Sequence, residues 1–138
     1  MMVIETSMGN IEIELYATDA PKAVARISEL AKEGFYNGLT FHRVVPGFVV
    51  QGGDPKGNGT GGTGKKLPAE FNSRRHVEGT VAMARASDPN SADCQFYICL
   101  GVLADLDGKY TVFGQVTKGM EIVKKIKIGD KMQKVLVK

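Results

Sequence analysis

Apolar and polar positions alternate one for one from Ile11 to Leu15. Ile11, Ile13 and Leu15 take one side, and Glu12 and Glu14 the other. That is the pattern of a strand with one face in a core and one in water. Val3 to Thr6 reads as its partner strand, with Ser7-Met8-Gly9-Asn10 as the hairpin turn. The period then changes. Val24, Ile27, Leu30 and Ala31 recur at helical spacing, so a helix is predicted from about Ala20 to Glu33. Asp19 is its expected N-cap, Pro21 fits its first turn, and Gly34 its stop.

Phe41 to Asp54 holds two short extended runs joined by Pro46-Gly47. The pair suits a type II turn, because Pro presets φ at the first central position and Gly accepts a positive φ at the second. The Gly-rich stretch from Gly52 to Gly64 has too few side chains for a regular element. Gly79 to Ala84, Gln95 to Leu100, Tyr110 to Val116 and Lys134 to Val137 read as further strands. Arg85 to Asp93 is turn-rich, and Leu103 to Lys109 is a turn ending in Asp107-Gly108. Met120, Val123, Lys124 and Ile126 fit a short second helix. Many short strands with two helices require a closed or sandwiched β fold, because bare edges must be hidden. No internal repeat or linker divides the chain, so residues 1–138 are expected to form one domain.

Composition narrows the function. The chain is 43% hydrophobic and 24% charged, as soluble proteins are. A net charge of +3 with no long basic run gives no argument for nucleic acid. No apolar run reaches the ~20 residues of a membrane helix, and the N-terminus lacks a basic, apolar leader. A cytoplasmic monomer that needs no metal and no cofactor is expected. Cys94 and Cys99 stand five apart without a second Cys/His cluster, a poor zinc site. If both lie on one strand, the odd spacing points them to opposite faces, so reduced thiols are expected.

Several formal matches to other chemistries fail on their own requirements. Gly57 to Gly62 matches a dinucleotide fingerprint, and Gly59 to Lys65 most of a phosphate-binding loop. Both need a helix N-terminus behind the glycines, but Pro68 follows closely and Lys66 stands where Ser/Thr belongs. His42 and His76 are the only histidines, and neither sits in a nucleophile motif. His42 is expected to pack against a strand, and Glu12 and Glu14 to face water. Arg43 is different. It lies between apolar strand formers, and a buried guanidinium must find a partner, for which Asp54 is one candidate. Strict alternation does not put Phe48 and Gln51 on one face.

The run Phe41-His42-Arg43-Val44-Val45-Pro46-Gly47-Phe48-Val49-Val50-Gln51-Gly52-Gly53-Asp54 resembles the signature of the cyclophilins, the cyclosporin-binding peptidyl-prolyl cis-trans isomerases. Asn58-Gly59-Thr60-Gly61-Gly62, Ala82-Met83-Ala84-Arg85-Ala86, Gln95-Phe96-Tyr97-Ile98 and Leu106 to Gly114 look like successive blocks of that family, in order. The resemblance implies a mainly β fold, a closed eight-stranded antiparallel barrel capped by two helices. It implies catalysis of rotation about X-Pro bonds in unfolded or flexible segments, assisting folding. The alternative is a non-catalytic scaffold or chaperone module that binds proline-containing peptides. Carried over, Arg43 is the catalytic arginine, with Phe48 and Gln51 beside it. Phe48, Val49, Tyr97 and Leu106 would line the proline pocket, and Gln51 would orient Arg43. Gly59, Ala84, Arg85, Ala86 and Gln95 would line the groove for residues before proline. Tyr110, at a substrate-binding position, replaces a frequent histidine, Tyr97 a phenylalanine, Val49 a methionine and Arg85 an asparagine. Asp105 holds the place where large members carry tryptophan, which implies weak cyclosporin binding.

Overall fold

The face that Ile11 and Ile13 present to the interior is shared by eight antiparallel strands. The computed structural model describes all 138 residues. Strands β1 (Met2–Thr6) and β2 (Gly9–Leu15) form the first hairpin. Its turn is only Ser7-Met8, because Gly9 and Asn10 already pair with Thr6 and Glu5. The Thr6 hydroxyl closes it, accepting from Met8 N–H at 3.1 Å and donating to Gly9 O at 2.8 Å. Then come β3 (Arg43–Val45), β4 (Val49–Gly52), β5 (Thr80–Met83), β6 (Phe96–Cys99), β7 (Val112–Lys118) and β8 (Lys134–Val137). The strands lie in the order β3-β4-β6-β5-β7-β2-β1-β8. Ile4, Ile13, Val81, Phe96, Ile98 and Phe113, from five strands, meet in one cluster of 25 buried residues, which the sheet reaches only by curling.

The expected closed barrel is corrected here: the sheet is open. Its end strands, β3 and β8, share no ladder. The segments that lead into them meet instead. Gly38 N–H donates to Met132 O, Met132 N–H to Leu39 O, Phe41 N–H to Asp130 O, and Gly129 N–H to Phe41 O, at 2.7 to 3.0 Å. Two features prevent a ladder. β3 has only three residues before the Pro46-Gly47 turn, and the free edge of β8 is in use, since Val135 N–H donates to Asn37 Oδ1 at 2.9 Å.

Helix α1 (Pro21–Lys32) buries Ala23, Ile27, Leu30 and Ala31. Asp19 does not cap it. The N-cap is Ala20, without a side-chain bond, and the carboxylate of Glu70 takes the exposed amides of Lys22 (3.1 Å) and Ala23 (2.8 Å). Asp19 pairs with Arg74 at 2.8 Å. The other end is as expected. Gly34 adopts φ +78°, Phe35 N–H reaches Leu30 O and Gly34 N–H reaches Ala31 O, a Schellman stop. Helix α2 (Met120–Val123) is shorter than its apolar spacing suggests. Lys125 and Ile126 bond three residues back rather than four, so the chain tightens into turns. No helix is long and apolar enough to cross a membrane.

A second buried cluster sits on the outer side of the sheet. Val49, Ala82, Tyr97, Cys99 and Val112 form it, and Phe48, Leu106 and Tyr110 pack against it. Strands β4 to β7 are thus covered on both faces, which is why their sequences read as continuous apolar runs. Cys94 belongs to the inner cluster and Cys99 to the outer one. They do not share a strand, since Cys94 precedes β6. Both are free and fully buried, and burial pushes both thiols up to about 12. The thiolate is the reactive form. Folded protein at pH 8 is therefore expected to give no thiol release with Ellman's reagent over minutes, while unfolded protein labels at both cysteines; rapid labelling of the folded state would contradict this burial.

Candidate active site

The β3–β4 hairpin brings the first site residues together. Phe48 N–H bonds Val45 O at 2.9 Å and Gly47 takes φ +72°, so the Pro-Gly turn is as the sequence predicts. The register sets Arg43 opposite Gln51. Phe48 belongs to the turn rather than to β4, and that frees it from strand alternation. Its ring lies 5.8 Å from the Arg43 guanidinium carbon.

Arg43 is exposed, not buried, and forms no ion pair. The physical reason is that β3 is an end strand with one edge and one face in water. Asp54, its candidate partner, is 1% exposed and occupied elsewhere. It accepts the backbone amides of Lys56 (2.9 Å), Asn58 (3.0 Å) and Gly59. Burial opposes its ionisation, but these amides outweigh burial and hold its carboxyl below the usual range.

Arg43 instead heads a hydrogen-bonded row. Its Nη1 donates to Gln51 Oε1 at 3.3 Å. Gln51 Nε2 donates to Gln95 Oε1 at 3.0 Å. Gln95 Nε2 donates to the carbonyls of Gly59 and Gly61, each at 3.1 Å. A guanidinium carries five N–H donors, so the row leaves most of them free.

Two hollows flank this row. The smaller, about 130 Å³, is walled by Phe48, Val49, Ala84, Tyr97, Leu106 and Tyr110, with Arg43, Gln51 and Arg85 as its polar lining. The larger, about 510 Å³, shares Gln51, Ala84 and Arg85 and continues along Gly59, Ala86 and Gln95. The twelve residues that the resemblance assigns to catalysis or substrate binding therefore all line one hollow or the other, while Asp105 lines neither. The cleft also carries Lys56, Lys66, Ser91 and Asp93, which sequence reasoning missed, because no motif marks them.

Arg85 is a strap. Its guanidinium stacks 4.5 Å over Tyr110 and donates to the carbonyls of Lys109, Ala86 and Ser87. The glycine loop wraps two carboxylates, Asp54 and Asp93, the latter accepting from Thr63 and Gly64 and paired with Arg26 at 3.3 Å. Gly61 leaves no room for a Cβ against Asp54. No helix follows the loop, so the requirement for nucleotide binding is absent. His42 packs beside Gly59, with neither ring nitrogen bonded. No group of three His, Cys, Asp or Glu side chains is placed to hold a metal ion.

Behind Tyr97 lies a feature the sequence reading missed. His76 is fully buried, with Nε2 2.8 Å from the Tyr97 hydroxyl and Nδ1 3.1 Å from Asp107 Oδ1. Burial lowers its pKa more than Asp107 raises it, which favours the neutral ring. Partners 21 and 31 residues away leave no local signal.

The sequence model described as "Cyclophilin type peptidyl-prolyl cis-trans isomerase/CLD" matches residues 1–138. A peptidyl-prolyl cis-trans isomerase of Helicobacter pylori is 47% identical over 137 residues, covering 96% of this chain and 83% of the relative. One of Synechococcus elongatus is 43% identical, covering 98% and 94%. A crystal structure of a Cryptosporidium parvum cyclophilin type peptidyl-prolyl cis-trans isomerase, in the presence of the dipeptide Ala-Pro, superposes with a TM-score of 0.92 at 28% identity, covering 99% and 98%. The chain thus belongs to the cyclophilin-type peptidyl-prolyl cis-trans isomerases, enzymes that interconvert the two forms of prolyl peptide bonds.

Proposed function

We propose that the small hollow seats the proline ring of a flexible substrate segment and that Arg43 is the group that accelerates its isomerisation. The reaction is rotation about a partial double bond with a barrier of ~18–20 kcal/mol. It needs no nucleophile. In the twisted transition state the proline nitrogen loses conjugation and becomes a hydrogen-bond acceptor. A fixed guanidinium donor beside it binds that state better than either planar state. The observation that carries this reading is Arg43 itself: exposed, tied to Gln51 by one hydrogen bond, unpaired with any carboxylate, and set at the rim of an apolar hollow. A guanidinium with free donors favours an enzyme over a passive scaffold.

The walls of the two hollows support the remaining roles. Phe48, Val49, Tyr97 and Leu106 hold the ring while the carbonyl side turns, and Tyr110 closes the hollow. Gly59, Ala84, Arg85, Ala86 and Gln95 take the residues before proline. The Ala-Pro dipeptide present with the Cryptosporidium parvum relative supports a proline-containing ligand. Assistance to folding chains in the cytoplasm extends the reading, and the two free buried thiols agree with a reducing compartment. The test is an isomerisation assay on an Ala-Pro peptide, with the Arg43→Ala protein beside it.

Cyclosporin should inhibit weakly. Asp105 is exposed on the turn Ala104–Leu106 and lines neither hollow. It offers no N–H donor and little apolar area, where large family members present an indole. Asp105→Trp should tighten inhibition by ~1–2 kcal/mol, one hydrogen bond plus aromatic burial. Titration of the drug against both proteins checks this, and low-nanomolar inhibition of the unmodified protein would contradict it.

A further inference from the structure

Two chain segments that do not pair with each other, β6 and the turn from Leu103 to Tyr110, converge on His76. From β6, the Tyr97 hydroxyl lies 2.8 Å from its Nε2. From the turn after Leu106, Asp107 Oδ1 lies 3.1 Å from its Nδ1 and accepts its backbone N–H at 2.6 Å. From the start of the same turn, Leu103 N–H donates to the His76 carbonyl at 2.8 Å. The segment carrying Leu106 is therefore tied at both ends to one residue. Tyr110 completes the packing, edge-on to His76 at 6.3 Å and to Tyr97 at 5.7 Å. His76 itself does not line the hollow. Its ring is fully buried, and a buried histidine with both nitrogens engaged by separate segments does more than fill space.

We propose that His76 is a positioning residue of the proline pocket: it clamps Tyr97 and the Leu103–Tyr110 segment into one wall, and holds them only while its ring is neutral. The inference rests on the reading of the smaller hollow as the proline site.

The tautomer follows from the partners. A carboxylate only accepts, so Nδ1 carries the hydrogen and Nε2 is the acceptor for the Tyr97 O–H. Protonation puts a second N–H on the ring. Nε2 then points a donor at the Tyr97 oxygen, and the Tyr97 hydrogen loses its acceptor at a residue only 5% exposed. Asp107 and Tyr110 from the turn segment and Tyr97 from β6 face the ring; one step out, Cys99 and Arg85 act on Tyr97, Arg75 acts on Asp107, and Arg85 is stacked on Tyr110. Asp107 favours the imidazolium; burial opposes it and prevails.

Tyr97→Phe keeps the ring and removes only the tie. On an Ala-Pro peptide at pH 7.5, this variant should raise KM about two- to tenfold, the range of one neutral hydrogen bond, with kcat within about twofold. The parent enzyme should lose kcat/KM as pH falls through the His76 midpoint, which burial holds below the ordinary histidine value, and the loss should track that midpoint rather than that of His42 in nitrogen-edited NMR; Tyr97→Phe should lack this acid limb. The same spectra should place the neutral His76 hydrogen on Nδ1, a readout on the parent protein that needs no variant. A parent enzyme without turnover would defeat the pocket reading. An active parent whose KM and pH profile match those of Tyr97→Phe, or a neutral His76 with its hydrogen on Nε2, would overturn the clamp.

Discussion

Arg43→Ala is expected to fold like the parent and to lose about 10²–10³ in kcat/KM, or ~3–4 kcal/mol of transition-state stabilisation. The fold should survive because the side chain is exposed, makes one 3.3 Å hydrogen bond and has no ionic partner. Activity should not survive, because no other charged donor shares the smaller hollow except Arg85, whose guanidinium is spent on three carbonyls and the Tyr110 ring. The interaction forms only when the proline nitrogen becomes an acceptor, so kcat and kcat/KM should fall together while KM changes little. A protease-coupled assay alongside thermal unfolding separates the two effects. More than about half the parent rate in a folded variant would refute Arg43 as the donor, given the scale of such losses.

Asp54→Ala should destabilise the protein by about 3 kcal/mol and weaken the site without touching substrate. The carboxylate is 1% exposed and accepts the amides of Lys56, Asn58 and Gly59. A hydrogen bond to a charged group contributes about 1.5–3 kcal/mol, and some freed amides would reach water, so the total stays well below the sum. The loop it folds supplies the Gly59 and Gly61 carbonyls that hold Gln95, and through Gln51 the row reaches Arg43. Turnover should therefore fall as well as stability. The pH sign is fixed by a folded-state pKa held below the unfolded value of about 3.9. Stability from this group is present above that unfolded value and is lost as pH falls through the folded one. Urea unfolding of parent and variant should differ most at pH 7, with the gap shrinking below about pH 4. An unchanged gap down to pH 3 would mean that the loop does not depend on the charge.

The parts of the fold that packing alone dictates were legible in the sequence. One-for-one alternation gave β2, the helical period gave α1, and a Gly with positive φ ended that helix. Readings that depended on distant partners failed. Asp19 looked like a cap because it is adjacent, yet Glu70 caps the helix across 47 and 48 residues of chain. Arg43 looked buried because its neighbours are apolar, yet its strand is the end of an open sheet. Barrel closure fails for a related reason: β3 is too short, and the β8 edge is occupied by Asn37. In the site, resemblance pointed to residues that alternation could not group, because Phe48 lies in a turn and escapes strand parity. His76 stayed invisible, since its chemistry exists only once Tyr97 and Asp107 are brought to it.

A crystal structure of this protein with an Ala-Pro peptide tests the central claim most directly. The account predicts the proline ring against Phe48, Tyr97 and Leu106 in the hollow of about 130 Å³, with an Arg43 guanidinium nitrogen facing the proline amide and Gln51 still bonded to it. A proline ring seated in the larger cleft of about 510 Å³, or an Arg43 turned away to a carboxylate of substrate or protein, would contradict it.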